Sequence, residues 1–481
     1  MSMEPKAVFD IFAQINQVPR PSKHEEKISR WLQDWAAEHQ IECEADAAMN
    51  VIMRVPATPG YENHESVVLQ AHMDMVCEKN GDVQHDFMTD PIQTYVEDDW
   101  LKAKGTTLGA DNGIGISMAL AAISNPDLQH PAIECLFTVD EETGLTGAMK
   151  LQDGVLRSRR LINLDSEDDG QIFIGCAGGI DTLAKMHYKG ERLEAKGERW
   201  FPVRLSVTGL TGGHSGDDIN KGRANANQII AWFLGRLWPK TECRLAAING
   251  GNLRNAIARE AEATICVPVA YKEQVRIEWN MYVAEMEERY GAIEKEMRLE
   301  LESCDQPEMV IPTEQAYRLI LALNACPHGM IAMSRDMPGL VETSTNLASV
   351  KMRDGFVEIN TSQRSSIEVD KHHLKTIVEQ ALAIACDEVT HGDGYPGWKP
   401  NVQSPLLETT KQAYVDLFNE QPQVLAIHAG LECGLFLEKY PYLDMVSIGP
   451  QMYGVHSPQE RLSISSTERC YRWLCQVLQS L

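Results

Sequence analysis

Seven acidic and histidine residues have the types and spacing of a two-cation hydrolytic centre: His72 and Asp74 in AHMDMV, Asp111 in GADNGIG, Glu141 and Glu142 in VDEETG, Asp165 in NLDSED and His456 in YGVHSP. Each follows a short apolar run or a glycine-rich turn, where an α/β sheet presents its chemistry. Side chains alternate along an extended segment, so His72 and Asp74 fall on one side of it. That spacing suits a metal-bound imidazole and the carboxylate that fixes its tautomer. Asp111 reads either as a helix N-cap, which Asp favours, or as a carboxylate bridging two cations. Glu141 and Glu142 read either as a solvated loop or as a pair dividing labour, one ligating metal and one acting as general base. Asp165 ends an apolar run, and DSEDDGQIFIGC imitates a calcium loop. Cys176 stands where that loop requires a bidentate Glu, which excludes an EF-hand. His456 is by itself an ordinary loop histidine. Taken in order, however, and with Asp74 and one glutamate set aside for orienting and base roles, the set leaves two imidazoles and three carboxylates, donors for paired zinc or similar ions.

The elements that position these residues alternate between strand and helix. Apolar spacing predicts helices over Ala7 to Ile15 and His24 to Ala37, separated by Pro19 to Pro21. Strands follow over Val67 to Gln70, Ile133 to Val139 and Leu161 to Leu164, with a helix over Gly113 to Ile123. This rhythm predicts an α/β fold with a mostly parallel sheet. From Lys185 the chain is charged and then alternating, as an antiparallel strand with one wet face would be. An inserted α+β domain over residues 185–390 is therefore expected, made of two related halves, one running from Val203 to Glu294 and one from Thr313 to Cys386. The glycine- and proline-rich stretch His391 to Pro400 marks a return to the first domain. That domain is predicted to be discontinuous, over residues 1–184 and 391–481.

Composition narrows the function. A chain of 481 residues exceeds what one core usually fills, so two domains are expected. Lys and Arg number 44 against 69 Asp and Glu, a formal charge of −25, and such a field repels nucleic acid and anionic membranes. No segment reaches the roughly 18 apolar residues of a membrane span, and the polar N-terminus lacks a secretory signal. A cytoplasmic protein is expected. The twelve cysteines are scattered without a C-x-x-C pair, consistent with buried reduced thiols.

With the segments AHMDMVCEKN, TTLGADNGIG, FTVDEETGLTGA, INLDSED, TGLTGGHSGDDI and YGVHSPQE in place, the chain resembles the M20 metallopeptidases over nearly its whole length, and within them the bacterial dipeptidases. The resemblance implies a catalytic domain of phosphorylase/hydrolase-like type with an inserted lid. It makes Asp111 the bridging ligand of two divalent ions, zinc first and cobalt or manganese as alternatives. His72 and Asp165 then ligate one ion, Glu142 and His456 the other, with Glu141 as general base and Asp74 orienting His72. It further implies His214 as a lid histidine stabilising the oxyanion, and the doubled lid predicts that His214 acts within its own chain. Asn255 matches a lid asparagine of the family, whereas the arginine that relatives carry about 14 residues later is replaced by Val269. Arg364 in INTSQRSS is the candidate carboxylate clamp in its place. The implied activity is hydrolysis of unblocked dipeptides, including Xaa-His and β-alanyl-histidine. The alternative is an M20 deacylase acting on N-acyl amino acids. The expected partner is a small peptide substrate, and pairing of two chains into a homodimer is left open by the sequence.

Overall fold

The computed structural model describes residues 3–193 and 200–481. The chain divides into two compact units, the first made of Met1–Cys176, Trp398–Ala426 and Leu431–Leu481, the second of Ala177–Gly397 and Ile427–Gly430.

The first unit is built on an eight-stranded sheet whose centre is four parallel strands in the order Ile133–Thr138, Val67–His72, Arg160–Asn163 and Asp444–Ser447. The first two are buried at every position, as parallel strands covered on both faces must be. The helix Ala110–Ile123 buries nearly its whole circumference, and the amphipathic helix Lys6–Ile15 packs Val8, Phe9, Ile11, Phe12 and Ile15 inward. All four parallel strands point the same way, so the turns after His72, Thr138, Asn163 and Ser447 emerge at one edge. A small antiparallel sheet of four strands adjoins the sequence end of this unit. Its strands Met452–Tyr453 and Arg461–Ser463 flank the loop that carries His456.

The second unit holds a nine-stranded sheet with an internal symmetry. Its first half runs strand Trp200–Thr208, helix Ala226–Leu237, strands Arg244–Gly250 and Ala261–Pro268, helix Lys272–Tyr290 and strand Arg298–Ser303. The other half repeats this order with strand Gly178–His187, helix Thr313–Ala325, strands Val341–Arg353 and Phe356–Ser365, helix Glu368–Leu382 and strand Glu388–His391. Within each half the strands lie in the spatial order fourth, first, third, second, a split β-α-β arrangement. The two second strands meet antiparallel at Asn249↔Lys351 and Gly250↔Val350. One half is thus threaded between the first strand and first helix of the other. The strand Gly178–His187 crosses position 185 and pairs without a break along Phe356–Ser365, from Gly178↔Ser365 to His187↔Phe356.

Candidate metal centre

His72 is the last residue of its strand. Its Nε2 lies 3.0 Å from Asp111 Oδ1 and 3.3 Å from Asp165 Oδ1. His456, at positive φ in its loop, places Nε2 3.1 Å from Asp111 Oδ2 and 2.9 Å from Glu142 Oε2. The two oxygens of Asp111 thus face two different imidazoles. The donor atoms of His72, Asp111 and Asp165 lie within 4.8 Å of one another, as do those of Asp111, Glu142 and His456, so the two groups share Asp111. Glu141 falls in a further group with His72 and Glu142.

Asp74 ties this edge together. Its Oδ1 lies 3.4 Å from His72 Nδ1 and accepts from the Glu141 N–H at 3.0 Å, while Oδ2 accepts from the Glu142 N–H at 3.2 Å and from Ser22 Oγ at 2.8 Å. One carboxylate therefore aims both an imidazole and the turn that carries both glutamates, the arrangement that fixes a ligand histidine. Burial works to raise Asp74, and His72 with the N–H donors overrides it and holds the carboxyl below its ordinary range.

The electrostatics call for cations. Burial pushes Glu141 well above the ordinary carboxylate value and Asp165 up to about 6. Burial opposes ionisation of Asp111 too, but hydrogen bonds from His456 and His72 hold it below its usual range. The same contacts, with Glu142, push His456 up to about 11. Burial alone would lower His72, and Asp165 with Asp111 and Asp74 raises it well above normal. Carboxylates of like sign crowd the edge and push both imidazoles toward their protonated forms, and uncompensated buried charge is costly. The donor set of two imidazole nitrogens and three carboxylates fits two divalent ions. Glu142 Oε1 is buried without a hydrogen-bond partner, which suits a metal-ligating oxygen.

Asp111 does not cap its own helix. Its backbone is non-helical, with ψ 109°. Glu460 instead holds the turn that leads into the helix, its carboxylate accepting from Leu108 at 2.7 Å, Gly109 at 3.1 Å and, at the helix start, Ala110 at 2.8 Å. This releases the Asp111 side chain toward the imidazoles. Gly109 has φ +69°, and a Cβ there would stand 2.4 Å from the Arg20 guanidinium, which is 1% exposed and donates to the Gly109 carbonyl at 2.6 Å. Arg20 also reaches the Met73 and Asp74 carbonyls, so one buried cation binds the two ligand turns.

Glu460 and Arg20 escape sequence reasoning, as does Glu432. Glu432 accepts from Gln70 at 2.6 Å and Thr138 at 2.8 Å, joining the strands that lead to His72 and to Glu141, and burial pushes it up to about 8. The only sequence signal for Glu460 is its place four residues after His456.

The remaining candidates lie in the second unit. The His214 ring is held through Nδ1, which lies 3.3 Å from the N–H groups of Gly216 and Asp217 and 3.2 Å from the Asp217 carboxylate. Asn255 is exposed and stands in the adjoining loop, where its carbonyl accepts from the Ser215 N–H at 2.8 Å. Arg364 is 8% exposed, its Nη1 donates to Tyr395 Oη at 3.2 Å, and its Nε is buried without a partner. A buried guanidinium with an unused donor is suited to receive a carboxylate.

The sequence pattern of peptidase family M20/M25/M40 matches residues 68–480, a span that contains all the residues of the centre. The chain belongs to this family. It is 41% identical over 479 residues to the cytosol non-specific dipeptidase of Escherichia coli (strain K12), covering 100% of this chain and 98% of that relative. The fold matches the crystal structure of aminoacylhistidine dipeptidase from Vibrio alginolyticus with a TM-score of 0.95 at 38% identity, covering 100% of this chain and 97% of that one. The aminopeptidase PepT of Bacillus cereus shares the fold alone, with a TM-score of 0.58 at 15% identity.

In this M20 peptidase, replacing Glu460 with Ala strands several buried N–H donors. The expected result is a loss of about 3 kcal/mol in unfolding free energy, read by denaturant titration, with weaker metal retention read by equilibrium dialysis. Acid should destabilise the second unit by another route. Burial first, and Arg364 second, push His428 down to about 4. The unfolded chain takes up that proton near the ordinary value of 6.5, whereas the fold refuses it until about 4, so stability falls as pH drops through this window. The predicted share is about 3 kcal/mol, and unfolding of the His428→Gln variant should show a correspondingly flatter dependence between pH 6.5 and 4.

Proposed function

We propose that this M20 peptidase is a cytoplasmic, di-zinc dipeptidase that hydrolyses unblocked dipeptides, Xaa-His and β-alanyl-histidine among them. The observation that carries the reading is the pair of three-residue ligand groups sharing Asp111 at the sheet edge. The relatives named above support the choice of dipeptides as substrate, and the word cytosol in one of those names supports the compartment. No helix among the described residues is long and apolar enough to cross a membrane.

His72 and Asp165 would hold one ion, Glu142 and His456 the other, and Asp111 both. When bound, the ions supply Lewis acidity at the scissile carbonyl and acidify solvent, with cobalt or manganese as alternatives to zinc. Glu141, on the turn fixed by Asp74, would take the proton from the attacking water and return it to the leaving amine. Asp74 would keep the His72 ring in its ligand orientation. His214 would donate to the oxyanion, acting from within its own chain, and Arg364 with Asn255 would receive the substrate carboxylate. In these terms the first unit is the catalytic domain and the second the lid.

The test compares metal-loaded protein on a free dipeptide and its N-acetylated form, with zinc, cobalt and manganese supplied in turn and metal content measured in parallel. Turnover of the free form, rising to a plateau at two ions per chain, is expected. Turnover confined to the acetylated form would replace the reading with an N-acyl amino acid deacylase.

A further inference from the structure

Arg364 does not stand alone in the second unit. On the adjacent strands Val341–Arg353 and Phe356–Ser365 it lies directly opposite Ser344, so the two side chains share one face as close neighbours. Ser344 Oγ is hydrogen-bonded to His428 Nε2 at 2.7 Å, and both residues are buried. Two residues beyond His428, the backbone of Gly430 presses on the Tyr395 ring, where a Cβ would come within 2.7 Å. Tyr395 in turn receives the Arg364 hydrogen bond through Oη. The segment Ile427–Gly430 therefore grips the surroundings of the guanidinium from two directions, through Ser344 by a side chain and through Tyr395 by close packing.

This arrangement has a physical consequence for binding. An arginine side chain carries roughly 2 kcal/mol of rotamer entropy, and a donor whose neighbours already fix it loses less on meeting its ligand. Tyr395 fixes one end of the guanidinium, and the His428 imidazole holds the hydroxyl of Ser344, which strand pairing places beside it, in one orientation. Nothing in the hydrolytic chemistry proposed above uses His428.

We propose that His428 is a positioning residue that acts through Ser344 on Arg364 and so sets the affinity for the terminal carboxylate of the substrate, without touching the substrate itself. The proposal rests on the reading of Arg364 as the carboxylate clamp.

Steady-state kinetics of the metal-loaded enzyme on an unblocked dipeptide and on its C-terminal amide test it. Arg364→Met should erase the preference for the acid over the amide. His428→Ala should raise KM for the acid about tenfold while kcat, and both constants for the amide, change less than about twofold, the signature of a lost ground-state contact worth one neutral hydrogen bond. His428→Gln, whose amide can still meet the Ser344 hydroxyl, should recover most of that loss. Ser344→Ala should reproduce it, and the double variant should be no worse than either single one. An unchanged KM for the acid in His428→Ala, or equal losses on acid and amide, would overturn the proposal. A preference for the acid that survives Arg364→Met would sink the clamp reading itself, a separate result. Should His428→Ala fail to fold, His428→Gln and Ser344→Ala carry the same comparison.

Discussion

Glu141→Gln is expected to lower kcat by about 10³-fold while two ions per chain stay bound, because a positioned general base contributes on that order and the amide cannot accept the proton. The side chain belongs to a turn whose N–H groups are held by Asp74, so the substitution leaves the backbone and the neighbouring candidate ligand Glu142 where they are. KM should move little, since the interaction is made on the way to the transition state. Single-turnover rates with metal content measured on the same sample provide the check. Turnover near the unsubstituted level, with both ions present, would remove Glu141 from the mechanism.

Asp111→Ala should have the largest effect on metal content. A ligand of one ion alone would leave the other site intact, whereas the two Asp111 oxygens face His72 and His456 separately. Loss of a residue that merely supports a ligand costs 10–100-fold in metal affinity, so loss of a shared ligand should cost each ion more than about 100-fold. Activity should vanish with it. His456→Ala provides the contrast, because His456 belongs to only one of the two groups and its loss should release one ion and spare the other. Equilibrium dialysis read by atomic emission decides between them. Asp111→Ala retaining one tightly held ion would mean that the carboxylate serves a single site.

How much of this was legible in the sequence differs between the two units for a physical reason. The parallel core announces itself because its strands are buried on both faces and read as short, mainly apolar segments, VVLQA and IECLF among them. The strand Val341–Arg353 has thirteen residues and is mostly buried, but its run of Thr343, Ser344, Thr345 and Asn346 looks like a loop. Those polar groups are tolerated because most of their hydrogen-bonding atoms find partners: the Thr343 and Ser365 hydroxyls pair, and Asn346 Nδ2 donates to the Arg254 and Ala256 carbonyls, with only its Oδ1 left over. The pairing of Gly178–His187 with Phe356–Ser365 was equally hidden, since a whole half-unit of chain separates them.

The sequence by itself determined the set of acids and imidazoles at the ends of apolar runs, because strand, turn and ligand are neighbours along the chain and a local pattern is enough to announce them. Tertiary structure alone decided what surrounds them. Glu460 reaches N–H groups some 350 positions away, at Leu108 to Ala110; Arg20 joins the turns after His72 and before Asp111; and the Asp111 carboxylate turns to the imidazoles while another carboxylate holds the turn before it. Such partners are chosen by the cost of leaving buried charges and donors unpaired, a cost that exists only once the chain has closed around them.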